Sequence, residues 1–306
     1  MIAPQIAKIM TNRLLRRLDT LSDWVRLIGL ALGPRRGGAD RLYSLVSTNN
    51  ALSADGRFLN LGYWANAKNY DEACRDLVML LAQAAQLQED DIVLDAGPGF
   101  AEQDILWIRE EAARWIVGLN ITKVQNEIAA RRLQRAGLSH RIAIVHGSAT
   151  RMPLADNSVS KVVALESAFH FNTRERFFSE AFRVLKSGGL LATADLLYPP
   201  ADAGPGLRQR VLNHLGRRIW HLPAANSDSA DGYAEKLRRV GFAEVRVRSI
   251  RDHVLVPFRL HLRSWLGDPD LARRMNPVMK LLWRAASGEM KPEGSFDYVI
   301  ATALRR

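Results

Sequence analysis

An alternation between short apolar runs and helical segments, which extends over residues 92–197, is the feature that most constrains the fold. The runs are five to nine residues long, which is typical of buried strands, and helical spacing of apolar residues fills the intervals between them. Strands and helices in alternation predict a parallel sheet with helices on both faces. The predicted strands are IVLDA (92–96), WIVGLNI (115–121), RIAIVHG (141–147), VSKVVALES (159–167) and LLATADLL (190–197).

The elements around and beyond these five strands complete the architecture. A helix over 174–186, which the tripeptide at 187–189 would end as a glycine C-cap, precedes the fifth strand. The later elements are a helix at 229–240, a strand near 243–250, a helical stretch over 257–290 and a strand at 296–304. We therefore predict an α/β protein with a Rossmann-like, mostly parallel seven-stranded sheet and a helical cap.

The charge balance is strongly basic, with 43 Lys and Arg residues against 32 Asp and Glu residues and a net charge of +11. Nucleic acid, an anionic membrane or an anionic substrate could each account for this excess. The basic residues are scattered, however, and no run of five occurs. Because a binding surface requires a patch and not merely a total, we expect no nucleic-acid partner.

Composition also bears on the cellular compartment. Cys74 is the chain's single cysteine, so the chain forms no internal disulfide and no cysteine-based metal site. Its helical surroundings indicate a buried structural thiol, which fits a reducing cytoplasm. No apolar run reaches the roughly 20 residues that a membrane-spanning helix needs. We expect a cytoplasmic protein.

Residues 5–32 form a separate amphipathic segment, in which Lys and Arg residues lie between apolar residues at helical spacing. A basic amphipathic helix can lie on a membrane surface or act as a targeting signal. Asp19 and Asp23 weaken both interpretations, so we expect this helix to pack over the main domain. The break GPRRGGADR gives an N-terminal helical segment 1–41 and a main domain 42–306.

The first chemical motif is IVLDAGPGF, which ends the first strand with Asp95 and continues into Gly97 and Gly99. Glycines directly after a strand let a ligand approach the backbone closely. A β-branched side chain at Gly97 is therefore expected to fill ligand space and to leave the protein folded. NAD enzymes share this motif, so by itself it does not identify the ligand.

Further polar residues follow the other strands, and in a parallel sheet these strand ends meet at one edge, where ligands bind. Asn120 ends the second strand, where an acidic residue would accept hydrogen bonds from ribose hydroxyls. The pair Ser148–Ala149 follows the third strand and suits the edge of an adenine ring. Glu166 and His170 follow the fourth strand, and Asp195 lies towards the end of the fifth.

In order and spacing these motifs resemble those of class I S-adenosylmethionine-dependent methyltransferases over residues 58–200. Four segments are similar, more specifically, to the natural-product O-methyltransferases typified by erythromycin 3''-O-methyltransferase, to which lipid methyltransferases are related. These segments are NLGYW (60–64), GPGFAEQDILW (97–107), GSATRMP (147–153) and ESAFHF (166–171). The resemblance implies an enzyme whose cofactor is S-adenosyl-L-methionine, and it specifies this donor better than the acceptor.

The resemblance also implies a set of cofactor-binding residues. The glycines of the first turn would lie against the methionine part of the cofactor, and Tyr63 and Trp64 would close over it. Asn120 replaces the usual acidic residue, and Ala101 replaces a usual glycine. The complete implied set is Tyr63, Trp64, Asp95, Gly97, Gly99, Asn120, Ile121, Gln125, Ser148, Ala149 and Glu166.

Methyl transfer to an alcohol needs a base, because the hydroxyl loses its proton as it attacks. A neutral His170 is the candidate base, and Asp195 or Glu166 could orient its ring and stabilise the imidazolium. With the ordinary imidazole pKa of about 6.5, activity would fall on the acid side. The histidines show no HExxH-type spacing, so no metal is expected.

The cofactor-binding core is expected at 71–200, with acceptor-binding cap insertions at 201–228 and 257–293. Together with the N-terminal helix, these insertions would enclose a bulky apolar small molecule. The predicted reaction is methyl transfer to a hydroxyl of a natural product, glycoside or lipid. Membrane-surface association is not favoured, and the oligomeric state is left open.

Alternatives stay open on the sequence alone. Carbon methylation of an isoprenoid diphosphate would use the surplus arginines to hold the diphosphate. An RNA methyltransferase would carry an NPPY-like motif after the fourth strand, where this chain has ALESAFHF. A non-catalytic cofactor-binding protein is compatible with Asn120. His170 could be a structural histidine, and Tyr63 and Trp64 could be ordinary core aromatics.

Overall fold

The predicted strands form one sheet in the computed structural model, which describes residues 22–26, 28–29, 40–44, 58–200, 206–268, 277–289 and 296–306. The strands are β1 (Ile92–Ala96), β2 (Trp115–Asn120), β3 (Ile142–His146), β4 (Val159–Leu165), β5 (Leu185–Leu197), β6 (Ala243–Ser249) and β7 (Asp297–Leu304). Their order is β3-β2-β1-β4-β5-β7-β6. Strands β1 to β5 are parallel, and β7 runs antiparallel to β5 and β6. The predicted Rossmann-like, mostly parallel seven-stranded sheet is confirmed.

Helices cover both faces of this sheet, because alternate residues of its buried strands point to opposite sides. Val93 packs in one apolar cluster with side chains of α1, α2, α3 and α7, and Leu94 packs in another with α4 and α6. The described helices are α1 (Tyr70–Ala84), α2 (Glu102–Arg109), α3 (Lys123–Ala136), α4 (Arg174–Val184), α5 (Leu207–Ile219), α6 (Ala230–Val240), α7 (Arg251–Gly267) and α8 (Pro277–Glu289).

The junction between α4 and β5 differs from the prediction. The helix ends at Val184, and the glycine pair at 188–189 lies inside the strand instead of capping the helix. The amide of Gly188 donates to the carbonyl of Arg305 over 2.7 Å, and the Arg305 amide donates to Gly189 over 2.9 Å. A Cβ on Gly189 would stand 2.9 Å from the carbonyl oxygen of Ser160. Close approach of neighbouring strands therefore explains this glycine.

A third apolar cluster joins the cap to the main body of the domain. Leu42, which is fully buried, packs there with Phe258 and Leu262 of α7, Val278 of α8 and Cys74 of α1. The buried cysteine is the predicted structural thiol. The helical stretch predicted over 257–290 is described as two helices, and its first one begins earlier, at Arg251.

The predicted N-terminal helix is described only at residues 22–26 and 28–29, which are helical. Most of that prediction therefore lies outside the described residues, and the division into segments 1–41 and 42–306 stays a prediction. Within the described parts of the chain, no helix combines the length and the hydropathy that crossing a membrane would require.

Candidate active site

A cleft of about 690 Å³ opens at the carboxyl edge of the sheet, above the ends of β1, β2 and β4. Its walls are the turn after β1, the turn after β2, the segment after β4 and residues just before α1. The predicted site residues that line this cleft are Gly97, Gly99, Asn120, Ile121, Gln125, Glu166 and His170. The predicted site residues that do not line it are Tyr63, Trp64, Asp95, Ser148, Ala149 and Asp195.

The glycine turn after β1 is shaped partly by its contact with the end of β4. Gly97 and Gly99 both have left-handed backbone conformations, with φ of 101° and 57°. A Cβ on Gly97 would lie 2.6 Å from the Cβ of Ser167, a residue that itself donates to the carbonyl of Ala96. The expectation that a β-branched Gly97 variant stays folded conflicts with this contact, whereas its expected effect on ligand binding stays a prediction. Such a side chain would collide with the protein as well as with any ligand.

Two carboxyl groups are buried together beneath this turn. Asp95 and Asp104 are both completely buried, and Gln103 donates to Asp95 Oδ2 over 2.9 Å. Burial raises the pKa of Asp95 to about 6, and burial with the neighbouring Asp95 charge raises the pKa of Asp104 well above its ordinary value. A protonated Asp104 donates a hydrogen bond to Asp95. Apart from this bond, Asp95 Oδ1 and the two carboxyl oxygens of Asp104 have no partner among the described residues.

Polar side chains stand at the end of β2, as predicted. Asn120 and Gln125 are buried at the cleft wall, and the Asn120 amide donates to Gln125 Oε1 over 2.9 Å. The Thr122 amide donates to Asn120 Oδ1 over a longer 3.3 Å. The side-chain oxygen of Asn120 therefore already accepts one hydrogen bond, which its local turn supplies.

Two parts of the implied cofactor set pack elsewhere. Trp64 donates through Nε1 to the carbonyl of Leu61 over 2.9 Å and packs its ring against His261 of α7, with 5.1 Å between centroids. Tyr63 packs against His253 of the same helix, with 5.3 Å between centroids. The two aromatics thus fix the 58–64 segment to α7 and do not line the cleft.

The Ser148–Ala149 pair forms a tight turn after β3. Ser148 Oγ lies 2.9 Å from Thr150 Oγ1 and accepts from the Thr150 amide over 3.3 Å. Its hydroxyl is therefore directed into its own turn, and neither residue lines the cleft. The adenine-edge role implied by the resemblance stays a prediction.

Glu166 lies in the cleft wall with a left-handed backbone, at a φ of 49°. Its Oε1 accepts from the Leu61 amide and from the Tyr298 hydroxyl, each over 2.8 Å. Burial raises the pKa of Glu166 to about 7, although these two hydrogen bonds lower it. This carboxyl group thus joins β4, β7 and the 58–64 segment at the edge of the cleft.

His170 presents its ring to the same cleft and is 6% exposed. Its Nε2 lies 2.7 Å from the hydroxyl of Tyr43, and its Nδ1 lies 3.4 Å from the carbonyl oxygen of His221. Burial lowers the pKa of His170 to about 3, so its imidazole is neutral at physiological pH. The ring hydrogen bonds found here involve neither Glu166 nor Asp195, so the predicted carboxylate orientation of the imidazole is not what the structure has.

Asp195 instead forms a fully buried ion pair. Arg174 Nε lies 2.9 Å from Asp195 Oδ2, and both side chains have no exposed surface. The guanidinium also pairs with Asp228 over 2.7 Å and donates to the carbonyl of Asn226 over 2.8 Å. Asp195 Oδ1 accepts from the amide of Phe169, beside His170, over 3.0 Å. Asp195 therefore holds the backbone of the segment that carries the imidazole.

Sequence reasoning missed several residues that the structure brings to the site. Gln103 and Asn60 line the cleft, and both lie within segments quoted for the resemblance, GPGFAEQDILW and NLGYW. A polar residue one turn into the helix after a glycine loop could have indicated Gln103. Tyr43 has no such signal, since it lies 127 residues from His170.

The sheet order and the glycine turn are those of α/β proteins that bind a ligand at the carboxyl ends of the strands. A sequence profile of the family described as "Methyltransferase domain" matches residues 94–193. Erythromycin 3''-O-methyltransferase from Saccharopolyspora erythraea is 33% identical to the chain over 273 residues, which are 86% of this chain and 88% of that enzyme. The chain belongs to the family of S-adenosylmethionine-dependent methyltransferases, and S-adenosylmethionine is its cofactor.

A second relative is also named a methyltransferase, and two solved structures share the fold. 27-O-demethylrifamycin SV methyltransferase from Amycolatopsis mediterranei is 28% identical over 233 residues, which are 76% of this chain and 74% of that protein. The cyclase SpnF has the same fold, with a TM-score of 0.68 and 24% identity over 87% of this chain and 94% of its own. Geranyl diphosphate C-methyltransferase from Streptomyces coelicolor has a TM-score of 0.66 and 17% identity, over 87% of this chain and 98% of its own.

The residues at the cleft fit this cofactor. S-adenosylmethionine carries positive charge on its sulfonium and amino groups, and Asp95, whose pKa of about 6 leaves it ionised at neutral pH, places a negative charge below the glycine turn. The left-handed glycines give it close access to the backbone. Gly97, Gly99, Asn120 and Gln125 are the residues that would hold it.

Proposed function

We propose that this enzyme transfers a methyl group to a hydroxyl of a bulky apolar small molecule and that His170 takes up the hydroxyl's proton. The observation that carries the proposal is the position of the His170 imidazole in the cleft that the glycine turn also lines. The cofactor supplies an electrophilic methyl group. The protein therefore has to align the acceptor and remove one proton.

The protonation state of His170 is compatible with a base, which has to be neutral before the reaction. Burial lowers the pKa of His170 to about 3, so the ring is neutral over the range in which enzymes work. The same burial makes the ring a weaker proton acceptor than an exposed imidazole, so the proposal rests on the position of His170 in the cleft. The acid limb near pH 6.5 that the sequence predicts is therefore not expected from this residue. A decline near pH 7 would instead report Glu166, whose pKa burial raises to about 7.

The apolar acceptor is supported by the lining of the cleft and by relatives. Leu59, Phe100, Leu165 and Phe171 contribute apolar surface, and no Lys or Arg lies among the described lining residues. A diphosphate would lack a cationic partner there, which weighs against an isoprenoid diphosphate as acceptor. Two relatives are named for erythromycin 3''-O-methylation and for 27-O-demethylrifamycin SV.

Product analysis tests the proposal. Each incubation contains the enzyme, S-adenosylmethionine and one acceptor. The acceptors are 27-O-demethylrifamycin SV, other hydroxylated macrolides and geranyl diphosphate. Mass spectrometry with fragmentation then locates any added methyl group. Methyl ether products from an apolar hydroxylated acceptor support the proposal, and methylation confined to carbon or nitrogen contradicts it.

The role of His170 has its own test. His170→Ala should lower the rate of methyl transfer by roughly 10²–10⁴, the usual contribution of a positioned base. Calorimetry with S-adenosylhomocysteine should show a change of less than about 1.4 kcal/mol, or tenfold, in affinity. The exposed His140→Ala is the matched control and should transfer at the wild-type rate. A folded His170→Ala enzyme with a wild-type rate would remove the imidazole from the mechanism.

A further inference from the structure

We infer that the hydroxyl of Tyr43 is a catalytic group, which contacts the acceptor's hydroxyl and passes the proton on to His170. The inference rests on the proposed O-methyl transfer, and it adds a residue to which neither the sequence nor the relatives gave a role. The observation behind it is the 2.7 Å contact between the Tyr43 hydroxyl and His170 Nε2 at the cleft wall.

The hydrogen-bond partners of His170 determine the direction of this contact. A backbone carbonyl can only accept, so the carbonyl of His221, 3.4 Å from Nδ1, is matched by an Nδ1–H tautomer. Nε2 is then the acceptor, and the Tyr43 hydroxyl donates to it. The single basic lone pair of the imidazole is therefore covered by the phenol.

Exposure distinguishes the two rings. His170 is 6% exposed, whereas Tyr43 is half-buried and lines the cleft beside it. The rings meet edge to face, with centroids 5.1 Å apart and planes at 90°. A molecule entering the cleft therefore meets the phenol oxygen on the approach to Nε2. That oxygen can accept a hydrogen bond from an acceptor hydroxyl while its own hydrogen stays on Nε2.

The position of Tyr43 is held by its neighbour in the chain. Leu42 is fully buried in the cluster formed with α7 and α8, so the described helical turn at 40–44 is fixed to the cap. An acceptor that displaced the phenol would have to disturb this packing. Contact through the phenol requires no such movement.

The proton transfer balances without any further reactant. The acceptor oxygen forms a bond to the methyl carbon as the bond from that carbon to sulfur breaks. The hydroxyl proton moves to the Tyr43 oxygen, and the original Tyr43 proton moves to His170 Nε2. A methyl ether, a neutral thioether and an imidazolium result, so the cleft begins and ends with the same net charge. Burial and Glu166 raise the pKa of Tyr43, so the phenol is neutral before and after the transfer.

The test compares Tyr43→Phe, His170→Ala and the double variant with wild type. Tyr198→Phe is the matched control, because it removes a buried tyrosine hydroxyl that donates to the Pro223 carbonyl over 2.9 Å and does not line the cleft. If Tyr43 carries the proton, Tyr43→Phe should lower kcat by roughly 10²–10⁴, as His170→Ala does. The double variant should be no slower than the slower single variant, and Tyr198→Phe should keep the wild-type kcat.

Other outcomes overturn the inference in recognisable ways. A Tyr43→Phe enzyme with wild-type or higher kcat and a lower KM would mean that the phenol only occupies the acceptor's place. Long-range ¹⁵N–¹H spectra of histidine that place the His170 hydrogen on Nε2 would reverse the hydrogen bond and also overturn it. If wild type binds S-adenosylhomocysteine but methylates no hydroxyl, the proposed function itself fails. If His170→Ala is slow and Tyr43→Phe is not, the inference about Tyr43 alone fails.

Discussion

Two pairs of ionisable side chains lie buried along the same edge of the sheet, and only one of them contains a cation. Asp195 pairs with Arg174 in the half of the site that carries His170. Asp95 pairs with Asp104 below the glycine turn, where the described residues provide no cation. Buried charges normally have a partner, so we expect the cationic cofactor to bind in the half of the site that contains the second pair.

The difference also shows in how each half is built. Arg174 and Asn226 hold the backbone around His170 from outside the cleft, since Asn226 donates to the carbonyls of Phe169 and Phe171 over 3.1 and 2.7 Å. The buried charges of Arg174 and Asp195 therefore have their partners within the protein. The half near the glycine turn keeps unpartnered oxygens, and we expect the cofactor's positive charge to lie on this side of the site. We therefore expect substitutions in the two halves to change stability in opposite directions.

The largest effect is expected from Arg174→Met. Removal of one partner from a buried ion pair leaves an uncompensated charge, so the free energy of unfolding should fall by about 3–5 kcal/mol. Arg75→Met is the control, because Arg75 pairs with Glu110 at the surface and should change stability by about 0–1 kcal/mol. Chemical denaturation measures both. Equal losses of unfolding free energy in the two variants would contradict the prediction that breaking the buried Arg174 ion pair costs more than breaking the surface pair.

A second variant distinguishes loss of the ion pair from a general failure to fold. Arg174→Met combined with Asp195→Asn removes both charges, and replacement of a whole buried pair is far less costly than breaking it. The double variant should therefore recover part of the lost stability. If it is less stable than Arg174→Met, the ion pair does not account for the loss.

Such long-range pairs are the part of the site that the sequence could not predict. The strands, the glycine turn and Asn120 follow from local patterns, since each depends on residues close together in the chain. Arg174 lies in the first turn of α4, where a charged residue normally faces solvent, and its partner Asp195 is 21 residues away. Tyr43 and His170 are 127 residues apart. No periodicity connects such residues, because packing of the finished fold brings them together.

The opposite sign is expected from Asp104→Asn. Burial raises the pKa of Asp104 and of Asp95 in the folded state, so the folded protein keeps protons that the unfolded chain releases above about pH 4. Wild-type stability from this pair is thus present at low pH and lost as pH rises through the folded-state pKa values. The asparagine variant should be more stable by about 1 kcal/mol at pH 8, on the scale of one pKa unit.

Denaturation at pH 5 and pH 8 measures this effect, and Asp90→Asn, at an exposed position, is the control. A variant that loses stability at pH 8 would contradict the view of this pair as an uncompensated charge.

The smallest effect is expected from Asn120→Asp, which adds a carboxylate to the half that already lacks a cation. The side-chain oxygen that accepts from the Thr122 amide is retained, and Gln125 can rotate its amide so that it donates to the new carboxylate. A carboxylate accepts hydrogen bonds from ribose hydroxyls more strongly than an amide does. Affinity for S-adenosylhomocysteine should therefore stay equal or improve, by no more than about 1.4 kcal/mol, or tenfold.

The free protein with Asn120→Asp should become slightly less stable above pH 5, since the added charge is buried. Asn157→Asp is the matched control, because Asn157 Oδ1 accepts from Arg305 over 2.6 Å, as a carboxylate would, and the residue does not line the cleft. A tenfold loss of affinity in Asn120→Asp alone would mean that the amide hydrogen of Asn120, and not its oxygen, is what the cofactor requires at the end of β2.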